Sequence, residues 1–536
     1  MGRYLNSMVP FETWRQITRT RFFVDKTFLL EDVLNAVEID GQKFLCITRP
    51  RRFGKSVMAN MIAAFFGKAL DSGEIFNNLA IAENESCKRH LNQHNVIFID
   101  FSRVPRGCST YEQYIDRIQD GINQDLAETY PETGIDVAGT VWDNLLTIYE
   151  KTKETFVFVI DEWDAVFHMP FISKDKQQEY LTFLKNLLKD QVYAKLTYMT
   201  GVLPIAKYSS GSELNMFVEY DMCVMEKFSN FFGFTEGEVD DLFDVYLKTT
   251  KGPKITRQDL RIWYDGYHTA SGERLYNPRS VVCALSNNQL ANYWTSSGPY
   301  DEIFFYVKNN INDVRDDLVL MAAGEGVKAE IKNYAAVSME LNTKDEIYSA
   351  MVIYGLLTYE DGEVFIPNKE LMDNFQELLM NKESMGYVYR LANESKRMLE
   401  ATLCGDTDTM TKILEFAHNT ESPVFSYNSE IELSAVVNLV YLAARDKYRV
   451  EREDKAGKGY VDFIFYPERK TADALIIELK VGSTPNAAIR QIKEKNYALR
   501  FKGKLGEKQK YTGRVLAVGI SYSKKTKKHS CKIEKL

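Results

Sequence analysis

Two groups of residues in this 536-residue chain have types and spacings suited to handling phosphate. The first is Arg49-Pro50-Arg51-Arg52-Phe53-Gly54-Lys55-Ser56, which fits the second half of G-x-x-x-x-G-K-[ST], with Arg49 where the first glycine usually stands. Backbone N–H groups from Arg52 through Phe53 and Gly54 to Ser56, with Val57 next on the helix, would point into such a loop. Together with the positive end of that helix they can cradle phosphate oxygens. Gly54 lets the backbone approach closely, Lys55 would neutralise the β- and γ-phosphates of ATP, and the Ser56 hydroxyl would ligate Mg²⁺. Further on, an apolar run over 156–160 ends at Asp161-Glu162, placing two carboxylates at the carboxyl edge of a strand, where open α/β sheets bind ligands. Asp161 is expected to hold Mg²⁺ through water, and Glu162 to orient and polarise the attacking water. Thr200, ending another apolar run, is either a contact to the γ-phosphate or a capping hydroxyl.

The second group is Asp462, Glu478 and Lys480. Side chains at i and i+2 of a strand share a face, so Glu478 and Lys480 project together. If the strand carrying Asp462 pairs with theirs as a hairpin, two carboxylates and an ammonium gather at one point. Asp462 and Glu478 would then offer hard oxygen ligands to Mg²⁺, and Lys480 would position water or stabilise the pentacoordinate charge of phosphodiester hydrolysis. The competing reading is a ladder of ion pairs between strands. Glu430 or Glu432 on a preceding helix is a possible extra ligand, and Gln491 follows on the next helix.

The elements that must position these residues are legible as patterns. A short apolar run at 44–47 breaks into the basic loop and then an amphipathic stretch, 57–66, which is strand, loop, helix. Further apolar runs at 96–99, 156–160 and 195–200, separated by helical stretches at 109–128 and 176–188, predict a parallel α/β sheet. From about 235 to 395 the pattern is mainly helical, and Asp361-Gly362 between short apolar pieces predicts a hairpin of a winged-helix-like unit. The last part predicts a helix at 429–444, strands at 461–466, 474–480 and 515–520, and a helix at 486–499. At this length one hydrophobic core cannot account for the whole chain. The expected domains are 1–245, 246–395 and 396–536.

Composition narrows the class. With 45% hydrophobic and 26% charged residues and no long low-complexity tract, the chain is expected to fold throughout. The first residues lack a basic stretch followed by an apolar run, and no apolar segment is long enough to span a bilayer, so a cytoplasmic location and no membrane partner are expected. Seven scattered cysteines, never at C-x-x-C spacing, indicate neither a disulfide framework nor a zinc site. His90 and His94 are four apart but lack the rest of a metal motif. The net charge is −8, yet residues 490–535 hold fifteen Lys and Arg against three Glu, an excess that suits a polyanion or a solvated face.

The run Phe23-Val24-Asp25-Lys26-Thr27, the loop Arg49 to Ser56, Ile160-Asp161-Glu162-Trp163-Asp164, Thr200-Gly201-Val202, Trp263-Tyr264-Asp265-Gly266-Tyr267 and Tyr276-Asn277-Pro278 resemble the AAA-ATPase-like family of bacterial proteins that carry a C-terminal PD-(D/E)xK nuclease-like domain. Gly457-Lys458-Gly459-Tyr460-Val461-Asp462, Ile477-Glu478-Leu479-Lys480-Val481 and the stretch from Gln491 to Tyr497 are similar to the nuclease half of that family. Tyr460 departs from it, standing where arginine is frequent, as do Leu433-Ser434 in place of a Tyr-His pair. The family pattern lacks the first glycine of the phosphate loop, so Arg49 is what the resemblance implies. By analogy Asp25 and Lys26 line the nucleotide pocket. The implied fold is a P-loop NTPase parallel sheet, a helical, winged-helix-like middle region and a C-terminal α/β nuclease-like domain. The implied activity is ATP hydrolysis joined to Mg²⁺-dependent cleavage of nucleic acid, DNA ahead of RNA, possible as a homo-oligomer. The alternative is an ATP-driven switch or assembly protein whose C-terminal domain binds nucleic acid or protein without cleaving it.

Overall fold

The computed structural model describes residues 2–39, 41–205, 213–223, 225–294, 314–322, 326–331, 341, 343–381, 387–419, 430–456, 459–467, 469, 471–501 and 513–536. The chain divides into two compact units: Met1–Pro299 with Ala329–Gly362 and Pro367–Glu370, and Tyr300–Lys328 with Glu363–Ile366 and Leu371–Leu536.

The first unit is built on a parallel sheet of β1 (Phe44–Thr48), β2 (Asn95–Asp100), β3 (Phe156–Asp161), β4 (Ala194–Gly201) and β5 (Val218–Tyr220), in the spatial order β2-β3-β4-β1-β5. Parallel strands are covered on both faces, which is why β1, β2 and β3 each hold an unbroken apolar run of four or five residues. Successive side chains point to opposite faces. Phe156, Phe158 and Ile160 of β3 therefore join one core with Tyr114, Leu145 and Leu184 of flanking helices, while Val157 and Val159 join the other with Met58, Ile62 and Phe66 of the helix Lys55–Phe66. β5 escaped the sequence reading because Val218-Glu219-Tyr220 is short and interrupted by a charge; it is paired to β1 from Leu45↔Val218 to Ile47↔Tyr220.

After this sheet the chain is helical over Glu236–Thr249, Arg257–Tyr264, Pro278–Asn287 and Lys344–Ile353. Three of the four begin with reciprocal caps, Thr235 with Glu238, Thr256 with Asp259 and Thr343 with Glu346, each satisfying otherwise orphaned N–H groups. Val239, Leu242, Tyr246, Leu260, Tyr264 and Val281 form a separate small core with Phe22 and Phe234. Asp361 and Gly362 both have positive φ, 50° and 85°, as the tight turn between Thr358–Glu360 and Glu363–Phe365 requires.

The second unit carries a mixed sheet of β6 (Tyr448–Ala456), β7 (Gly459–Pro467), β8 (Ala474–Val481), β9 (Val515–Ser523) and β10 (Lys528–Lys535), paired in that order. Only β8 and β9 run parallel; the helix Pro485–Glu494 lies between them in sequence and packs against both. Gly519 of β9 permits that approach, since a Cβ there would lie 2.4 Å from the Pro485 carbonyl oxygen. β6 and β10 were not among the strands expected from sequence, because Lys and Glu in them hide the period-two alternation. Part of the basic stretch thus serves as an edge strand; its residues 502–512 lie outside the described residues, as do the side chains of Glu430 and Glu432.

Candidate functional site

β1 delivers the chain into the basic loop, and two backbone positions shape it. Arg52 has φ 70° and Gly54, the N-cap of Lys55–Phe66, has φ 94°. The first is a left-handed conformation that a non-glycine residue adopts at a cost of about 1–2 kcal/mol, and the second is what glycine permits freely. The Lys55 ammonium is buried at the wall of a cavity of about 450 Å³ and donates to the Arg49 and Pro50 carbonyl oxygens at 3.0 and 3.1 Å. Arg52, Phe53, Gly54, Ser56, Val57 and Glu162 border the same cavity. Its apolar side comes from Phe22, Phe231, Phe234 and Val282, which spacing alone could not reveal.

β4 lies between β1 and β3, so the ends of all three converge. Thr200 pairs with Ile47 across one ladder, and its hydroxyl donates to Asp161 Oδ1 at 2.5 Å. Ser56 bonds the same carboxylate. Burial pushes the Asp161 carboxyl up to about 6, Glu162 adds to the rise, and the two hydroxyls oppose it. A cation beside a buried carboxylate restores its charged form. Mg²⁺ is commonly held by one or two protein oxygens together with ligand phosphates, so Ser56 and Asp161 fit it as a donor pair. Among the described residues no cluster of three His, Cys, Asp or Glu side chains offers a metal cage by itself. Glu162 stands just past β3 with φ 52° and faces the cavity.

Four contributors were not singled out from sequence as site residues. Asp164, fully buried and pushed up to about 6 by burial and then by Glu162, accepts from the Val202 and Leu203 N–H groups and so fixes the chain leaving β4. Glu370, also fully buried, is pushed up to about 7 by burial. It accepts from the Ser280 hydroxyl at 2.8 Å and the Tyr293 N–H at 2.6 Å, while the Tyr293 carbonyl accepts from the Arg52 guanidinium. Arg279 and Cys283, on the helix Pro278–Asn287, border the cavity opposite in sequence to the loop. Of the upstream pair, Lys26 borders the cavity and donates to Glu238 and to the Asn230 carbonyl. Asp25 instead accepts from Thr27 and Ala80, which makes it a turn-building residue.

In the second unit β7 and β8 pair antiparallel, Phe463 opposite Ile477, and Asp462 and Glu478 stand one step beyond that pair. Asp462 Oδ2 accepts from the Leu479 N–H at 2.6 Å. Lys480 Nζ donates to Glu478 Oε1 at 3.0 Å, and the Gln491 amide donates to the same oxygen. Glu478 Oε2 is buried with no hydrogen-bond partner. Burial, then the Asp462 charge, push the Glu478 carboxyl up to about 7, with Lys480 opposing. An idle buried carboxylate oxygen beside a second carboxylate fits a hard divalent cation. The sheet therefore brings Asp462, Glu478 and Lys480 together, with Gln491 as the residue orienting Glu478.

Comparison with known proteins matches residues 10–210 to the family described as predicted AAA-ATPase and residues 434–530 to the PD-(D/E)XK nuclease superfamily. An AAA-ATPase-like domain is followed by a PD-(D/E)XK nuclease-like domain. A protein of Azotobacter chroococcum mcd 1, described as an uncharacterized protein in the vnfD 5′ region, is 27% identical over 289 residues, 52% of this chain and 51% of that protein. The chain thus spans about half the length of that curated relative. Among solved structures, a Walker-type ATPase of Pyrococcus abyssi is 13% identical, with a TM-score of 0.34, covering 66% of this chain and 97% of that one. The ORC2 protein of Aeropyrum pernix is 11% identical, with a TM-score of 0.32, covering 68% and 99%. Among the described residues no helix is long and apolar enough to cross a membrane.

Proposed function

We propose that the ATPase-like domain binds and hydrolyses ATP with Mg²⁺, and that the nuclease-like domain cleaves a nucleic-acid strand, DNA in preference to RNA, with a divalent cation at Asp462 and Glu478. The observation that carries the first half is that Lys55, Ser56 and Glu162 border one cavity while the Ser56 and Thr200 hydroxyls both bond the buried Asp161 carboxylate. Backbone N–H groups of the loop and the Lys55 ammonium bind the polyphosphate, Ser56 and Asp161 hold the cation, and Glu162 orients and polarises the water. The cation supplies charge neutralisation between the phosphates.

For the second half the support is the buried, unpartnered Glu478 Oε2 beside Asp462, with Lys480 within hydrogen-bond reach. There the two carboxylates hold the cation, Lys480 orients water and steadies developing negative charge, and Gln491 keeps Glu478 turned inward. Basic residues of the same domain receive the phosphate backbone. Lys55→Ala should lower ATP turnover by roughly a hundredfold or more with the fold unchanged; undiminished turnover refutes the loop assignment. Asp462→Ala combined with Lys480→Ala should abolish Mg²⁺-dependent cleavage of plasmid and single-stranded DNA. Wild-type protein that binds DNA but cleaves none would favour the switch reading.

A further inference from the structure

Arg49 occupies the place where a phosphate loop usually begins with glycine, yet its guanidinium is not at the cavity. Its side chain is 1% exposed, one of the largest fully buried side chains among the described residues. Nη1 donates to the carbonyl oxygens of Thr48 at 2.8 Å and Tyr220 at 2.6 Å, the last residues of β1 and β5. The guanidinium lies 5.1 Å from the centre of the Phe232 ring, while Nε and Nη2 have no hydrogen-bond partner. Burial brings its pKa down to about 10, so it remains charged at neutral pH. A buried charge with idle donors is a poor way to fill space, since an apolar side chain of equal volume does so at lower cost. Its placement makes sense as a bridge.

The bridge joins the two sides of the nucleotide cavity. Arg49 ties the start of the loop to Tyr220 and Phe232, and at the loop's other end the Phe53 carbonyl accepts from the Gly233 N–H at 3.2 Å. Phe231, Gly233 and Phe234 border the cavity on its apolar side. The carbonyl of Arg49 itself is one of the two acceptors of the Lys55 ammonium. Moving the Arg49 backbone thus displaces Lys55 and alters the spacing between the phosphate side and the apolar side together.

We infer that Arg49 is a positioning residue of the nucleotide site: it sets the loop against Tyr220 and residues 231–234, so that restoring the customary glycine weakens nucleotide binding. The inference rests on the nucleotide-binding reading above. Arg49 does not border the cavity; it acts through Lys55 and the aromatic wall. A purely space-filling arginine would affect stability alone, whereas a positioning arginine affects affinity in protein that is fully folded at the assay temperature.

The test uses the full chain, a fluorescent ATP analogue with Mg²⁺ at equilibrium, and the melting temperature of each variant. Arg49→Gly should bind roughly tenfold or more weakly while melting well above the assay temperature. About 5 mM methylguanidinium, which can re-enter the vacated space and donate to the same carbonyls, should recover at least a third of that loss on a logarithmic scale and leave wild type unchanged. Binding within twofold of wild type, or a loss that methylguanidinium does not touch, overturns the inference. If the glycine variant does not fold, Arg49→Lys carries the test, because an ammonium cannot span the two carbonyls and lie flat against Phe232. It should bind roughly three- to tenfold more weakly, and wild-type affinity in it overturns the inference. Failure of wild type to bind, or equal binding by Lys55→Ala, removes the nucleotide reading and this inference with it; tight wild type, weak Lys55→Ala and tight Arg49→Gly remove this inference alone.

Discussion

Replacing Glu478 by glutamine should stabilise the nuclease-like sheet at neutral pH while abolishing its response to divalent cations. Glu478 is 2% exposed, and its carboxyl is pushed from the usual 4.5 to about 7, chiefly by burial and then by Asp462. That gap corresponds to roughly 3 kcal/mol between folded and unfolded chains. The sign follows from proton uptake. Below about pH 4.5 both states keep the proton and nothing is lost; between about 4.5 and 7 the unfolded chain releases it first, so folding stability declines as pH rises; above about 7 the full penalty stands. Glutamine keeps the size and an acceptor for Gln491 but cannot ionise. Lys480 already opposes the rise, so the loss of its charged partner is contained in that figure. The gain should be about 3 kcal/mol at pH 8 and near zero at pH 4. Because a chain with two units need not unfold in one step, the suitable assay is native-state hydrogen exchange of β8 and β9 amides, corrected for intrinsic pH dependence. Millimolar Mg²⁺ or Mn²⁺ should raise protection of those amides in wild type and leave the variant unmoved. A variant less protected at pH 8, or equally responsive to the cation, refutes this reasoning.

Gly519→Ala places a methyl group 2.4 Å from the Pro485 carbonyl and 3.1 Å from the Ala488 Cβ, so the helix bearing Gln491 must move; native-state hydrogen exchange of the β8 and β9 amides should show a loss of about 1–3 kcal/mol, and cleavage should drop with it. The apparent affinity for Mg²⁺ in ATP turnover should fall from pH 8 to pH 5, because Asp161, raised to about 6, takes up a proton over that interval; titrations at fixed ATP that give a flat profile would count against Asp161 as a ligand. Cys283 borders the cavity, so ATP with Mg²⁺ should slow its alkylation severalfold, as mass spectrometry of that peptide can measure, while Lys55→Ala protein should show no such protection.

How far residues could be read as function depended on whether their partners were near in sequence. The basic loop from Arg49 to Ser56 was legible because strand, loop and helix are contiguous, and the strand is apolar on both faces. Asp462, Glu478 and Lys480 were legible because a single antiparallel pairing and the period of two bring them together. The Ser56–Asp161–Thr200 meeting spans most of the parallel sheet, and only the rule that ligands gather at strand carboxyl ends pointed to it. Glu370 bonds Ser280, ninety positions earlier, and Phe22, Phe231 and Phe234 come to one cavity from two distant segments. No local pattern marks such residues. Tertiary packing also turned part of the lysine-rich tail into β10, where His529, the buried residue, stands between exposed Lys528 and Ser530.

Both proposed centres can be read in one experiment: Mn²⁺ anomalous scattering from crystals of the full chain grown with a non-hydrolysable ATP analogue. Two sites are expected, one within bonding distance of Ser56 and the analogue's phosphates with Asp161 behind it, the other between Asp462 and Glu478 Oε2. A nucleotide lying away from Lys55, or no manganese between the two strand carboxylates at millimolar concentration, would contradict the function assigned to the corresponding domain.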